Sequence, residues 1–241
     1  MSHPQQLDFI KNFSDLIHTR KKTVFDILEI GSYEVNSSLR KYFLNSNYLG
    51  IDLVNGPGVD KVLDGSKIES LNKRFDIIIS SECFEHASNW IEIFRAMINC
   101  IKDEGYVVMT CASKGRAEHG TKRSDFFYSM LHKYEVNGSP GTNDEYYKNL
   151  SKKDFFKNFN INGIFENYFF FYNIHSFDLY FIGQKKRTKE GSLIETLENK
   201  IKEINKDYPS FQSIKRFLLH SLLPEKICND LHFKNLARKL K

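Results

Sequence analysis

Carboxylates and a glycine follow three apolar runs in the first third of the chain. Glu29 and Gly31 end the first run, Asp52 ends the second, and Asp64 follows the third. A carboxylate accepts hydrogen bonds from the two hydroxyls of a ribose, or from an amino group, without needing a proton of its own. Asp52 follows Glu29 by 23 residues, a spacing that suits an acid bound to a ribose. These residues therefore predict a site for a ligand that contains a ribose.

Two histidines are candidates for proton transfer. His86 lies just past a fourth apolar run, which ends next to Glu82, and His119 lies in the loop after a fifth run. Imidazole changes charge near neutral pH, so either ring could act as a general base. A loop histidine can equally be satisfied by backbone or water, and this alternative stays open for both.

Three cations lie in the same loop as the second histidine: Arg116, Lys122 and Arg123. Such groups beside a site would suit an acceptor that carries a phosphate or another acidic group, such as a nucleotide-linked sugar. The alternative is a solvated loop whose charges face water. Tyr146 and Tyr147, farther along, could stack on sugar faces or only pack this loop onto the domain.

The apolar runs alternate with amphipathic segments. Strands are predicted at 25–30, 48–52, 61–63, 75–81 and 106–111, and helices at 7–20, 36–45 and 90–101. This alternation predicts a parallel sheet with right-handed crossovers. The carboxyl ends of parallel strands share one edge, where open α/β sheets bind ligands, so we expect Gly31 and the three acids to lie together there.

The second half of the chain departs from this alternation. Residues 113–150 are polar and rich in Gly, Ser, Asn and His, which predicts a functional insertion on the substrate side. Ser151 and Asp154 predict a capped helix start. Two aromatic strands follow at 164–172 and 177–183, and their short connection predicts an antiparallel pair that closes the sheet.

Residues 188–241 differ in charge from the rest. They hold 11 Lys/Arg against 7 Asp/Glu, whereas residues 1–187 hold 24 against 23. We therefore predict a main domain over 1–187 and a basic helical C-terminal extension over 188–241. The Ile/Leu stripe of this extension leaves three alternatives open: docking on its own domain, a homodimer seam, or peripheral contact with a membrane.

Bulk composition narrows the functional class. The chain has 241 residues, 14% of them aromatic, with few Gly and Pro, so a sizeable core is available. No apolar run is long enough to span a membrane and the first residues lack a signal-peptide core, so we expect a cytoplasmic protein. The nearly neutral main domain gives no electrostatic reason to expect nucleic acid. The four cysteines lack metal-ligand spacing, and no other ligand spacing demands a metal.

Five segments in order resemble the class I S-adenosylmethionine-dependent methyltransferases, and among them the bacterial methyltransferases of surface-polysaccharide and lipopolysaccharide biosynthesis. The segments are LEIGSYEVNSS at 28–38, YLGIDLVNGPGVDKVLD at 48–64, FDIIISSECFEH at 75–86, GYVVMTCAS at 105–113 and GRAEHGTKRSD at 115–125. The resemblance implies a Rossmann-like α/β fold, with a mostly parallel seven-stranded sheet and an antiparallel strand pair at its end. It covers roughly residues 20–185.

The resemblance also implies roles for individual positions. Gly31 matches the glycine that lets the methionine part of the cofactor lie against backbone. Asp52 matches the acid that holds the ribose hydroxyls, and Asp64 matches the residue that contacts the adenine amino group. The full set of cofactor-binding residues implied in this way is Glu29, Gly31, Ser32, Asp52, Leu53, Asp64, Gly65 and Glu82.

The first loop departs from the family pattern. Glycine is usual at two further alternate positions, which here are Tyr33 and Val35, so a side chain must point away from the cofactor or cover it. A dinucleotide pyrophosphate needs that close backbone approach and a methionine moiety does not, so the missing glycines weigh against an NAD-dependent oxidoreductase. The missing glycines also leave open the alternative of a non-catalytic binding or scaffold protein that retains the fold.

The sequence thus predicts an enzyme that transfers a methyl group from S-adenosyl-L-methionine to a hydroxyl or amine. The expected acceptor is a small molecule or glycan of the sugar type, used in surface polysaccharide biosynthesis. The charged cofactor already makes the methyl electrophilic, so the protein must align the acceptor and remove its proton. His119 and His86 are the candidate bases, and Arg116, Lys122 and Arg123 are the candidate acceptor-binding residues.

Overall fold

The computed structural model describes residues 4–19, 24–35, 37–121, 124, 146–186, 193–204 and 211–239. The strands are β1 Asp26–Ile30, β2 Asn47–Asp52, β3 Lys61–Val62, β4 Phe75–Ser81, β5 Ile101–Ala112, β6 Asn167–Asn173 and β7 Asp178–Gln184. The α-helices are α1 Pro4–His18, α2 Trp90–Cys100, α3 Lys152–Asn158, α4 Ile161–Ile164, α5 Leu193–Ile204, α6 Phe211–Leu222 and α7 Glu225–Lys239.

Within the described residues, seven strands form one sheet in the order β3-β2-β1-β4-β5-β7-β6. The neighbours from β3 to β5 pair in parallel, and β7 pairs antiparallel with both β5 and β6. The predicted fold is confirmed. The carboxyl ends of β1, β2, β3 and β4 therefore meet at one edge of the sheet.

Apolar side chains cover both faces of the sheet. Ile78 and Ile79 of β4 point to opposite faces, because side chains alternate along a strand. Ile78 belongs to a core with α2, whose Phe94 and Met97 are fully buried. Ile79 belongs to a second core that includes α1 and α5. Burial on both sides explains why β4 is the most continuous apolar run in the sequence.

The first helix of the C-terminal extension packs on the main domain. In α5 the buried residues, which share a core with α1, are Leu193, Ile194, Leu197 and Ile201. This contact matches the docking alternative for α5, whereas α6 exposes Phe211 and Leu222. The boundary at residue 187 stays a prediction.

None of the helices in the described part of the chain combines the length and apolarity needed to cross a membrane.

The helix predicted at 36–45 is wrong in its described part. A single 3-10 turn forms at Arg40–Tyr42, and Asn45 has a left-handed φ of 62°. This one turn already buries Leu39 and Phe43. The apolar spacing therefore reflects two core contacts rather than a full helix.

β5 begins earlier than the sequence predicts. Ile101 pairs with Phe75 of β4, and the register then shifts before Ile77. Residues 103–105, predicted as a turn, lie within this irregular start of the strand. Pairing with a neighbouring strand here outweighs local turn propensity.

Candidate functional site

A tight turn leaves β1 at Gly31. Its φ is +80°, a conformation that residues with a Cβ rarely adopt, and a Cβ there would lie 2.9 Å from the Cβ of Cys83. The N–H groups of Gly31 and Ser32 both donate to the carbonyl of Ile51, at 2.9 and 3.0 Å. The turn is thus fixed against β2 and requires glycine at its first position.

Asp52 joins the loops that follow β1 and β2. Its Oδ2 accepts a hydrogen bond from the N–H of Tyr33 at 3.2 Å, and its Oδ1 accepts one from the N–H of Val54 at 3.3 Å. Burial raises the pKa of Asp52, and these backbone donors oppose the rise. The ring of Tyr33 lies against Gly56, where it would clash with any Cβ. The side chain that replaces the usual glycine therefore points onto the neighbouring loop.

Asp64 caps the 3-10 helix Gly65–Leu71. Its Oδ1 accepts hydrogen bonds from the backbone N–H and the hydroxyl of Ser66, at 2.8 and 2.9 Å. The amide of Asn89 donates to the same oxygen at 3.2 Å. Gly65 is buried, and a Cβ there would lie 2.6 Å from a side chain of β1. This geometry shows a capping role, and contact with adenine stays a prediction.

The ends of the first strands converge on Cys83. Its Sγ lies 3.1 Å from where a Cβ on Gly31 would be. Burial raises the pKa of the Cys83 thiol to about 12, and the negative charges of Asp52, Glu85 and Asp64 add to the rise. Gly31 thus lies against Cys83, and both acids are near enough to act on its thiol electrostatically.

Three further predicted cofactor residues have distinct environments. Oε2 of Glu29 accepts a hydrogen bond from the hydroxyl of Tyr48 at 2.7 Å. Burial raises the pKa of Glu29 to about 7, although this hydrogen bond lowers it. Ser32 is buried, and its Oγ has no hydrogen-bond partner among the described residues. Leu53 is 48% exposed beside the ribose-binding candidate.

Glu82 follows β4 with a left-handed φ of 52°. Its Oε1 accepts a hydrogen bond from the side-chain amide of Gln6. Its Oε2 lies 3.4 Å from Nε2 of His119 and 4.0 Å from Nη2 of Arg116. Burial opposes ionisation of Glu82, but the nearby His119 and Arg116 hold its pKa below the ordinary value. The carboxylate therefore faces the loop after β5, and its predicted contact with the cofactor stays a prediction.

The 3-10 turn Phe84–His86 places Glu85 beside Glu82. Oε1 of Glu85 accepts a hydrogen bond from the N–H of Ala112 at 3.2 Å. Its Oε2 is buried and has no partner among the described residues. Burial and the negative charge of Glu82 raise the pKa of Glu85 well above its ordinary value. Two buried carboxylates thus lie side by side.

The two predicted bases lie ring against ring, since the centroids of His86 and His119 are 5.1 Å apart. Nδ1 of His119 is 3.1 Å from both the carbonyl of Ala117 and the hydroxyl of Tyr147. Burial and the charge of His119 lower the pKa of His86 to about 3. The structure therefore brings both histidines and one of the predicted tyrosines into one cluster.

Arg116 is engaged inside the protein. Its Nη1 donates to the carbonyl of Ser176 at 2.9 Å and lies 3.8 Å from Oδ1 of Asp178. Its side chain is 16% exposed. These contacts give Arg116 an internal role and do not support the predicted role in acceptor binding. Lys122 and Arg123 lie outside the described residues.

Glu85 is the residue of this cluster that the sequence did not identify. Glu82, Glu85 and His86 stand at positions i, i+3 and i+4, a spacing that places side chains on one side of a helical turn. The apolar pattern predicts no helical turn at 84–86. Without such a turn, the spacing does not indicate that these side chains lie together.

A family model described as "Methyltransferase domain" matches residues 6–134. No curated protein sequence matches the chain. The crystal structure of the CurJ carbon methyltransferase is similar with a TM-score of 0.51 and 14% identity, over 77% of this chain and 56% of CurJ. This chain thus spans little more than half the length of that protein.

Two further solved structures have TM-scores of 0.50. The N-terminal domain of EvdMO1 with SAH bound has 13% identity and covers 77% of this chain and 83% of its own. The plantazolicin methyltransferase BpumL, in complex with a pentazolic desmethylPZN analog and SAH, has 16% identity and covers 76% and 85%. At such identities these similarities describe the fold alone.

The family match covers more than half of the chain and includes β1 to β5 with the loops that converge on Cys83. The fold and the cofactor predicted from the sequence are confirmed. The chain belongs to the methyltransferase-domain family and is a class I S-adenosylmethionine-dependent methyltransferase.

Proposed function

We propose that this methyltransferase transfers its methyl group to a hydroxyl, or to an amine, of a sugar-type acceptor in surface polysaccharide biosynthesis. The sugar-type acceptor and its pathway rest on the sequence resemblance. The observation that supports the site is the position of the segment Glu82–His86. It contacts the turn at Gly31 on one side and the histidine cluster on the other. Cys83 of this segment lies against Gly31, whereas its last residue lies beside His119. A cofactor at the Gly31 turn would present its methyl to an acceptor at the histidine cluster.

We assign cofactor binding to the loops after β1, β2 and β3. Gly31 takes the methionine part, Asp52 the ribose hydroxyls and Asp64 the adenine amino group. A carboxylate has about four lone-pair sites, and the two backbone donors on Asp52 leave capacity for two ribose hydroxyls. We also assign Leu53, which is partly exposed next to Asp52, to an apolar face of the adenine.

The reaction is an in-line displacement at the sulfonium methyl. The acceptor oxygen forms the new C–O bond, the C–S bond breaks, and its electron pair returns to sulfur to give S-adenosylhomocysteine. The hydroxyl proton must leave the oxygen as the bond forms. The protein therefore has to hold the oxygen in line with the C–S bond and provide a route for this proton.

The cluster of Glu85, His86 and His119 supplies that route in one of two ways. An imidazole nitrogen accepts the proton directly, as the sequence predicts for His119 or His86. Alternatively, a bound cation lowers the pKa of the hydroxyl. The first way is tested by the histidine substitutions of the Discussion, and the second is argued below.

The proposal is tested with purified protein and S-adenosylmethionine labelled in its methyl group. We expect label in one member of a panel of nucleotide-linked sugars, and none in the matching deoxy sugar that lacks the methylated hydroxyl. Calorimetry should show binding of S-adenosylhomocysteine, and a nicotinamide fluorescence titration should show no binding of NAD. Binding without transfer to any acceptor, including extracts of the source cell, would favour a non-catalytic protein that retains the fold.

A further inference from the structure

Three side chains with metal-ligating atoms converge at the carboxyl ends of β4 and β5. One ligand atom from each of Glu85, His86 and His119 lies within 4.8 Å of the other two. Three ligands of one divalent metal are about 3.0–3.8 Å apart at ordinary bond lengths of about 2.0–2.2 Å. Shifts of under about 1 Å would therefore bring all three onto one ion.

The residues of this cluster and Glu82 beside it carry buried polar atoms without partners. Among the described residues, Oε2 of Glu85, Oε2 of Glu82 and Nε2 of His119 have no hydrogen-bond partner. The side chains of the two glutamates are 0% and 1% exposed. Buried polar groups are almost always satisfied in folded proteins, and buried charges are paired or bound to metal. These three atoms therefore indicate a ligand.

The orientation of His119 sharpens this argument. Its Nδ1 lies 3.1 Å from the carbonyl of Ala117, and a carbonyl only accepts hydrogen bonds, so Nδ1 carries the proton. In the neutral ring, Nε2 then presents a lone pair to a carboxylate oxygen of Glu82 at 3.4 Å. Two lone pairs facing each other repel, so a proton or a cation must lie between them.

The hydrogen-bond partners of the ligating side chains are typical of a metal site. Ligating histidines usually donate their other ring N–H to a carbonyl, and ligating carboxylates are themselves hydrogen-bonded. Here Ala117 receives the N–H of His119, and the N–H of Ala112 binds Oε1 of Glu85 at 3.2 Å. These contacts hold both side chains in place, and Oε1 of Glu85 lies 3.9 Å from Nε2 of His119.

We propose that Glu85, His86 and His119, with Glu82 as a fourth ligand, bind a single divalent transition-metal cation. Two imidazoles with one or two carboxylates suit Mn²⁺ or Zn²⁺ better than Ca²⁺, which prefers oxygen ligands throughout. The two carboxylates neutralise the charge of the ion in the protein interior.

The cation would also bind the acceptor oxygen, and this role rests on the proposed function. A hydroxyl bound to a divalent metal loses its proton more readily, because the ion stabilises the resulting oxyanion. The histidines then act as ligands, and the proton passes to water rather than to an imidazole. The oxyanion attacks the sulfonium methyl as described above.

The binding test uses the full chain, stripped with EDTA and titrated with Mn²⁺ by electron paramagnetic resonance and with Zn²⁺ by calorimetry. We expect one ion per chain and an affinity reduced at least tenfold in Glu85→Gln and in His86→Gln. Glutamine in place of Glu85 keeps an oxygen for the N–H of Ala112, so the fold should tolerate it. His18→Gln, at the end of α1, should bind the metal as the wild type does.

Binding of neither ion, or equal affinity in the wild type and in Glu85→Gln/His86→Gln, would overturn the proposal. Binding of S-adenosylhomocysteine by each variant shows that it is folded, and His119→Asn replaces any variant that fails this check. Metal binding without S-adenosylhomocysteine binding would contradict the proposed function alone. Methyl transfer unchanged by EDTA and by added Mn²⁺ or Zn²⁺ would exclude the role of the ion in the reaction.

Discussion

The backbone N–H of Tyr33 donates a hydrogen bond to Oδ2 of Asp52 across 3.2 Å. This contact connects the turn after β1 with the loop after β2, the two loops to which cofactor binding is assigned. It also explains how a tyrosine replaces a glycine of the family pattern: the backbone is held by an acid and the ring lies on Gly56. Asp52 thus supports the loop geometry, and its contact with the ribose stays a proposal.

Asp52→Ala should weaken the binding of S-adenosylhomocysteine about 10- to 150-fold. Hydrogen bonds to a charged group are worth about 1.5–3 kcal/mol, and each 1.4 kcal/mol is a factor of about ten in affinity. Calorimetry measures the change. Asp103→Ala is the matched control, because among the described residues its carboxylate pairs with the exposed Lys186. Equal affinities in both variants would contradict the assignment of Asp52.

Substitutions at Asp64 should separate its capping role from binding. Alanine removes the cap and should destabilise the protein by about 1 kcal/mol, whereas asparagine is an equally good cap and should leave stability almost unchanged. If Asp64 also accepts from the adenine amino group, Asp64→Asn should still weaken S-adenosylhomocysteine binding, because an amide N–H would face the adenine donor. Urea unfolding and calorimetry measure the two effects. Unchanged affinity in Asp64→Asn would leave capping as its role.

Glu29→Gln should change how stability depends on pH. Burial raises the pKa of Glu29 from about 4.5 in the unfolded chain to about 7 in the fold. The folded state therefore binds more protons between these values, and the free energy of unfolding falls as pH rises through this window. The loss approaches about 3 kcal/mol, at about 1.36 kcal/mol per pKa unit. The difference in the free energy of unfolding between Glu29→Gln and the wild type should therefore favour the variant more at pH 8 than at pH 5. Urea unfolding of the cofactor-free protein measures this difference. A pH-independent difference would contradict the burial of an ionisable carboxyl at this position.

His119→Gln should lower kcat by a factor of about 10²–10⁴, the range expected when a group that activates the acceptor is lost. Its affinity for S-adenosylhomocysteine should be unchanged, since the proposed function assigns this ring to the acceptor. His86→Gln should show the same pattern if both rings serve the acceptor. Rates of methyl transfer and calorimetry test this, with His18→Gln as control. Unchanged rates in both variants would remove the histidines from the mechanism.

Arg116→Met should destabilise the fold by up to about 3–5 kcal/mol, because it removes the guanidinium that lies between the buried carboxyl groups of Glu82 and Asp178. Asp178→Asn should recover part of the loss in the double variant, since it removes one of these charges. Urea unfolding of the single and double variants measures the coupling. A stable Arg116→Met protein with a raised KM for the acceptor would instead support the role predicted from the sequence.

The sequence alone determined the elements whose pattern is local. The continuous apolar run of β4, the alternation of strands with amphipathic segments, and the capping box of Ser151 and Asp154 all appear in the structure. Acids at the ends of strands were also placed at one edge, because the ends of parallel strands coincide whatever the loops do.

The tertiary structure decided which polar groups meet. Arg116, which the sequence predicts as an acceptor-binding residue, lies between acids from β7 and from the end of β4. Glu85 gained its place beside His119 through a short turn that no periodic pattern signals. Hydrophobic periodicity indicates which face of a single segment is buried. A cluster of polar side chains depends instead on distances between segments that are far apart in the chain. These distances are set by packing of the whole domain, so they became known only with the fold.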